Sequence, residues 1–167
     1  MKLKELLKNV EDVELTEEQE KQIKDFLEIK NSKKWRPEEN EEYYFVTQGG
    51  SIQQVDCNES NGDEFRILTN NCFKTKEEAK FRLEQIKVYN ELKNFADENN
   101  DGICWTSFGE QIKYYMLYDY VDDKIKISTW TYMRDIGQIY FSSKELAIQA
   151  IEKVGEDRIK KYLFWVK

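Results

Sequence analysis

The residues that could do chemistry fall into three groups, and each lacks a part it would need. Asp97-Glu98-Asn99-Asn100-Asp101-Gly102 has the opening of a calcium-binding loop, with Asp first, Asn third, Asp fifth and Gly sixth. The twelfth position, where such a loop needs a bidentate glutamate, holds Phe108, and the ninth holds Trp105. A polar turn joining two parts of the chain is the better reading. Asp119, Asp122 and Asp123, beside Tyr118 and Tyr120, could hold a magnesium ion or move protons. They also lie where Val121-Asp122-Asp123-Lys124 separates two strand-like runs, and aspartate is an ordinary turn residue. Gly49-Gly50-Ser51 is too short for a phosphate loop, is not followed by Gly-Lys-Ser/Thr, and reads as a hairpin turn. There is no histidine to activate a serine or cysteine nucleophile. The expectation is a chain with no catalytic residue, no metal and no cofactor, and therefore not an enzyme.

A fourth group suits recognition rather than catalysis. From Pro37 to Phe65 there is no Lys or Arg, while Glu38, Glu39, Glu41, Glu42, Asp56, Glu59, Asp63 and Glu64 are all acidic. Residues 1–34 carry 8 basic and 9 acidic side chains, residues 35–101 carry 8 and 15, and residues 102–167 carry 10 and 9. The net charge of −7 is thus concentrated in the middle third. Such a stretch repels phosphate backbones and attracts basic surfaces. These eight carboxylates are the candidate partner-binding residues, against the plainer reading of a solubilising edge and loop. The aromatic content is dense as well, including Trp35, Tyr43, Tyr44, Tyr114, Tyr115, Tyr118, Tyr120, Trp130, Tyr132 and Trp165. Exposed Tyr and Trp are enriched in binding hot spots. Base stacking needs a basic groove, which the first half lacks, so direct nucleic-acid binding is not expected. Core and sheet packing is the plainer use of these rings.

These groups must be positioned by α+β elements. Leu3, Leu6, Leu7 and Val10 fall on one face of a helix. Thr16 with Gln19 makes a capping box for a second helix that runs to about Ile29, with Ile23, Phe26 and Leu27 on one side. These helices either pack on the core or pair with a second copy. After them the chain reads as two tandem β-β-β-α repeats with antiparallel sheets. The divisions are a helical segment 1–34, a first repeat 35–101, and a second repeat 102–167 ending in a short helix. Trp35 and Trp105 open the copies, and Tyr43-Tyr44-Phe45-Val46 aligns with Tyr114-Tyr115-Met116-Leu117. Second strands follow around Ile52–Val55 and Lys124–Ile127, and third strands around Phe65–Leu68 and Gly137–Tyr140. Each copy then enters a helix, through Phe73-Lys74-Thr75-Lys76-Glu77-Glu78-Ala79 or Phe141-Ser142-Ser143-Lys144-Glu145-Leu146-Ala147. Thr75 and Glu78 form a capping box, and either Ser142 or Ser143 can cap the second helix. Leu83, Ile86, Leu92, Phe95 and Ala96 form the buried stripe of the first helix. Gly155 stops the second.

At 167 residues, with 40% hydrophobic side chains, the chain can bury a core. No apolar run approaches the ~20 residues that span a bilayer. The charged positions of Met1-Lys2-Leu3-Lys4-Glu5-Leu6-Leu7-Lys8 argue against a signal peptide. Cys57, Cys72 and Cys104 have no paired spacing and suit reduced thiols in a cytoplasm.

Several segments resemble a family carried by bacteriophages and prophages of Firmicutes. The resemblance rests on Lys33-Lys34-Trp35-Arg36-Pro37, Glu42-Tyr43-Tyr44, the Phe73–Ala79 helix start, the Glu91–Asn99 run, Tyr140-Phe141-Ser142-Ser143 and Gly155–Phe164. It covers nearly the whole chain, least distinctively over 100–135. It implies a mobile-element origin and a bacterial cytoplasmic setting, and it supplies no catalytic residues. By analogy with other short acidic phage proteins, the expected function is a non-enzymatic accessory protein that binds a host protein. The most concrete form is an inhibitor of a host defence nuclease of the CRISPR type. The alternatives are a structural or assembly factor that forms a homodimer through its N-terminal helices and, less favoured, a metal-dependent enzyme using Asp119, Asp122 or Asp123.

Overall fold

In the computed structural model the described residues are 35–103, 111–131 and 134–166, with Thr16 and Glu18 standing alone before them. The helices expected within 2–29, and Cys104, Trp105, Phe108 and Tyr132, lie outside the described residues. Two antiparallel hairpins and four helices make up the described part, an α+β fold. The first hairpin is β1 (Glu42–Val46) and β2 (Ile52–Asp56), followed by α1 (Asn61–Leu68) and the long α2 (Lys76–Asn99). The second is β3 (Lys113–Asp119) and β4 (Lys124–Trp130), followed by α3 (Lys144–Val154) and α4 (Glu156–Leu163). The hairpins form separate two-stranded sheets.

Local chemistry sets most of these boundaries. Thr75 and Glu78 form the expected capping box at the start of α2. Ser143, rather than Ser142, caps α3 by accepting from the Leu146 amide at 3.1 Å. Gly155 joins α3 to α4 at φ 98°, a conformation that side-chain-bearing residues rarely adopt. Both hairpin turns fall where the glycines and aspartates place them, with the Thr47 amide bonded to the Ser51 carbonyl in the first and Asp123 at φ 50° in the second.

The expected third strands are not formed. Phe65–Leu68 belongs to α1, because Ser60 and Asp63 make a capping box that starts a helix four residues earlier, at Asn61. Gly137–Tyr140 belongs to neither sheet, and Gly137 turns the chain at φ 79°. What completes each hairpin is a single antiparallel bridge. Phe73 exchanges both backbone hydrogen bonds with Tyr44, and Phe141 does the same with Tyr114. These bridges equate Tyr44 with Tyr114, so the alignment of Tyr43 with Tyr114 is off by one. A one-residue slip changes the face of every strand residue. The corrected register sets Tyr43 against Lys113, and both are fully buried.

The α2 helix, at 24 residues about 36 Å long, packs on both β1 and β2 and on both α3 and α4. Its second half supplies Val88, Leu92, Phe95 and Ala96 to the main core, which also takes Met116, Phe141, Ala147, Ala150, Val154 and Ile159. Val88 replaces Ile86 in the expected stripe, and Ile86 lies at the surface. A smaller core holds Tyr43, Phe45, Cys57 and Cys72, with Trp35, Val55 and Ile67 packed against it. Neither cysteine there is in a disulfide. Ala79 and Ala147, one turn into their helices, are both fully buried.

The two bridging phenylalanines have the same backbone role but different surroundings, since Phe141 is 1% exposed and Phe73 is half-buried. Phe141→Ala is therefore expected to cost about 3–5 kcal/mol, and Phe73→Ala less than half of that. Urea unfolding of both variants checks this, and equal losses would refute the difference in packing.

Candidate functional site

The acidic residues gather at the open end of the first hairpin, because the backbone there doubles back on itself. The Asn40 amide donates to the Cys57 carbonyl at 2.7 Å, and the Cys57 amide to the Glu41 carbonyl at 3.0 Å. The turn leading into β1 is closed by the Glu41 amide on the Glu38 carbonyl and by the Glu38 amide on Glu41 Oε2, each 3.0 Å. Glu42 and Asp56 are direct cross-strand partners. Like charges in that position are destabilising, and Gln54 Nε2 offsets part of the repulsion by donating to Glu42 Oε2 at 2.7 Å. Glu38, Glu39, Glu42, Asp56, Glu59 and Glu64 are exposed, and Glu41 is half-buried. The hairpin thus brings together residues from 38–42 and 56–64.

Asp63 does not lie on that surface. It is 2% exposed and its carboxylate is used inside the molecule. Oδ1 accepts from the Tyr43 hydroxyl at 2.5 Å and from Arg66 Nη1 at 3.2 Å. Oδ2 accepts from the Asn58 amide, the Ser60 amide and the Ser60 hydroxyl, at 3.2, 3.1 and 2.7 Å. Burial alone would raise the Asp63 pKa, but the hydrogen bonds from Tyr43, Ser60 and the two amides outweigh it and hold it at about 2. Burial, and then the bond to Asp63, push Tyr43 up to about 12. Arg66 also donates to the Tyr43 hydroxyl at 3.0 Å and lies over the Phe45 ring, 3.9 Å from its centroid. The result is a clamp that fixes α1 on β1. Sequence reasoning missed Tyr43 and Arg66 as its partners. The Ser60-x-x-Asp63 spacing was the available signal for a helix start there.

The three turn aspartates are committed locally. Asp119 Oδ1 accepts the amides of Val121 and Asp122 at 2.9 and 3.2 Å, while Oδ2 pairs with Lys126. Lys126, then the two amides, hold Asp119 at about 2. Asp122 pairs with Lys124 and Lys126, and Asp123 accepts from the Tyr118 hydroxyl. Among the described residues no three Asp, Glu, Cys or His side chains converge as a metal ion would need. The calcium-like run is divided between functions. Asp97 pairs with Lys93 inside α2, and Asn100 donates to the Tyr140 carbonyl and accepts from the Ser142 amide. Of the aromatics, Tyr43 is buried in the small core, Tyr115 packs against Trp130 and Tyr140, and Tyr120 and Trp165 are exposed.

No protein-family model, no curated protein and no solved structure matches this chain. The residues themselves carry the functional reading.

The clamp has a pH signature. A carboxyl whose folded pKa of about 2 lies below its ordinary 3.8 contributes stability that is full above the higher value and is lost as pH falls toward the lower. That contribution is on the order of 2 kcal/mol. The stability gap between the wild type and Asp63→Asn, measured by urea unfolding, should be widest near pH 6 and shrink as pH falls from about 4 toward 2. A gap independent of pH would show that the Asp63 charge contributes nothing.

Proposed function

We propose that this chain is a non-enzymatic accessory protein of a phage or other mobile element, and that it binds a basic surface on a host protein. The observation that supports this is the acidic face at the open end of the first hairpin, seven carboxylates with no Lys or Arg between Pro37 and Phe65. A face selected only for solubility would intersperse both signs. It would also avoid setting Glu42 directly against Asp56. A rigid acidic display suits a groove that normally holds a nucleic-acid backbone, because both are read as closely spaced negative charge. An inhibitor of a host defence nuclease, of the RNA-guided kind, is the concrete form of the proposal. The hairpin, bridge and capped helix that occur twice are best read as a duplicated unit, of which only the first acquired the acidic face.

The test reverses Glu38, Glu39, Glu41 and Glu42 to Lys. Binding to the host nuclease should weaken by about a hundredfold or more, and wild-type binding should fall steeply with added salt. Reversing Glu145 and Glu152, exposed on α3, should leave affinity within about twofold, in line with the small effects of charges outside an interface. Capture from host lysate followed by isothermal titration supplies the measurement. Full affinity in the fourfold variant would reject the proposal.

A further inference from the structure

The outward face of α1 is Asn61, Glu64, Phe65 and Leu68, an i, i+3, i+4, i+7 set in which every residue is exposed. Phe65 is 63% and Leu68 81% exposed, while the opposite face buries Asp63. The helix holds the charged clamp and Ile67 inward and presents Phe65 and Leu68, its other two large apolar side chains, to water. Leaving Phe65 and Leu68 in water forgoes the transfer free energy that burying them would gain. Local rules broken without a local gain mark functional positions. Single exposed apolar residues are common, but here two stand one turn apart on a helix that cannot rotate, beside Glu59 and Glu64.

We infer that Phe65 and Leu68 are the apolar anchors of the interface, and that they enter an apolar socket within a basic protein surface. This rests on the acidic-face reading and names the partner's chemistry more closely. Charge decides among occupants. A second copy would bring Glu59 and Glu64 against their own counterparts. Residues 1–34 of the same chain carry 8 basic and 9 acidic side chains, so as a whole they bring no net positive charge to this face. A Lys- and Arg-rich partner meets no such penalty, and an aromatic or aliphatic anchor entering a pocket inside a polar rim is an effective interface design.

The experiment uses the full chain and two synthetic peptides. One is Lys/Arg-rich and carries a Leu and a Trp one helical turn apart, and the other has that pair replaced by Ser. The wild type should bind the first about tenfold more tightly, since one well-buried apolar side chain supplies that factor. Phe65→Ser with Leu68→Ser should abolish the preference while keeping affinity for the second peptide. Leu68→Ser alone, at the more exposed position, repeats the test if the double variant does not fold. Equal affinity of the wild type for both peptides, or a preference that survives the substitutions, would overturn the anchor assignment and leave the acidic face standing. Binding to neither peptide would overturn both. A photo-crosslinker in place of Leu68 should then link to the first peptide. A link to a second copy, or to residues 1–34 of the same chain, would give the face another occupant and reject the inference.

Discussion

A carboxylate removed from water must be given hydrogen-bond donors by the protein, and Asp63 receives five. They come from β1, from the loop before α1, and from α1 itself. One side chain therefore caps a helix, closes a loop and ties both to a sheet. Loss of any donor would leave a buried charge undersatisfied, so the arrangement is close to all-or-none. This fixes the orientation of an eight-residue helix that is too short to be stable alone. In the second hairpin the place of Tyr43 is taken by Lys113, also fully buried, whose ammonium donates to the carbonyls of Gln111 and Thr131 at 3.0 Å each. Both hairpins thus bury a long side chain with a polar end, but only the first uses it to hold an extra helix.

The α2 helix links what the two hairpins build. Neither two-stranded sheet would hold together in isolation, and each needs a helix to cover it. Because α2 packs on β1 and β2 and also on α3 and α4, it serves both cores. Two asparagines do related work at the seams. Asn71 brackets Val46 by accepting from its amide and donating to its carbonyl, and Asn100 holds the backbone at Tyr140 and Ser142 in the same manner. Each supplies paired backbone contacts where the missing third strand would have provided a ladder.

The helices that follow the phenylalanines were legible because their start signals are local: an apolar residue, a hydroxyl cap and, for α2, a glutamate three positions on. The hairpin turns were legible for the same reason. The third strands were misread because Phe65, Ile67 and their neighbours alternate briefly as a strand would, while the deciding feature, the Ser60–Asp63 box, lies upstream of the apolar run. The strand alignment slipped because Tyr-Tyr occurs in both hairpins, and adjacent identical residues carry no register information. At the candidate surface, the exposed glutamates could be named from charge alone. The inward turn of Asp63 could not, because it depends on Tyr43 twenty positions away and on packing no spacing reveals.

Opposed like charges fall in the first half of the molecule, whereas exposed large apolar side chains occur in both, Val121, Ile136 and Trp165 among them. The second hairpin and its helices bury a broad apolar core and keep their exposed carboxylates beside lysines, as Lys126 does with Asp119 and Asp122. The first hairpin has a small core, sets like charges opposite each other, buries an aspartate and exposes a phenylalanine and a leucine. The opposed carboxylates and the exposed apolar side chains forgo folding free energy, and the shared α2 helix lets the well-packed half offset the loss. A scaffold that concentrates its stability on one side leaves the other free to be shaped by recognition. The segregation of charge, nearly neutral after residue 101 and strongly negative before it, follows the same division.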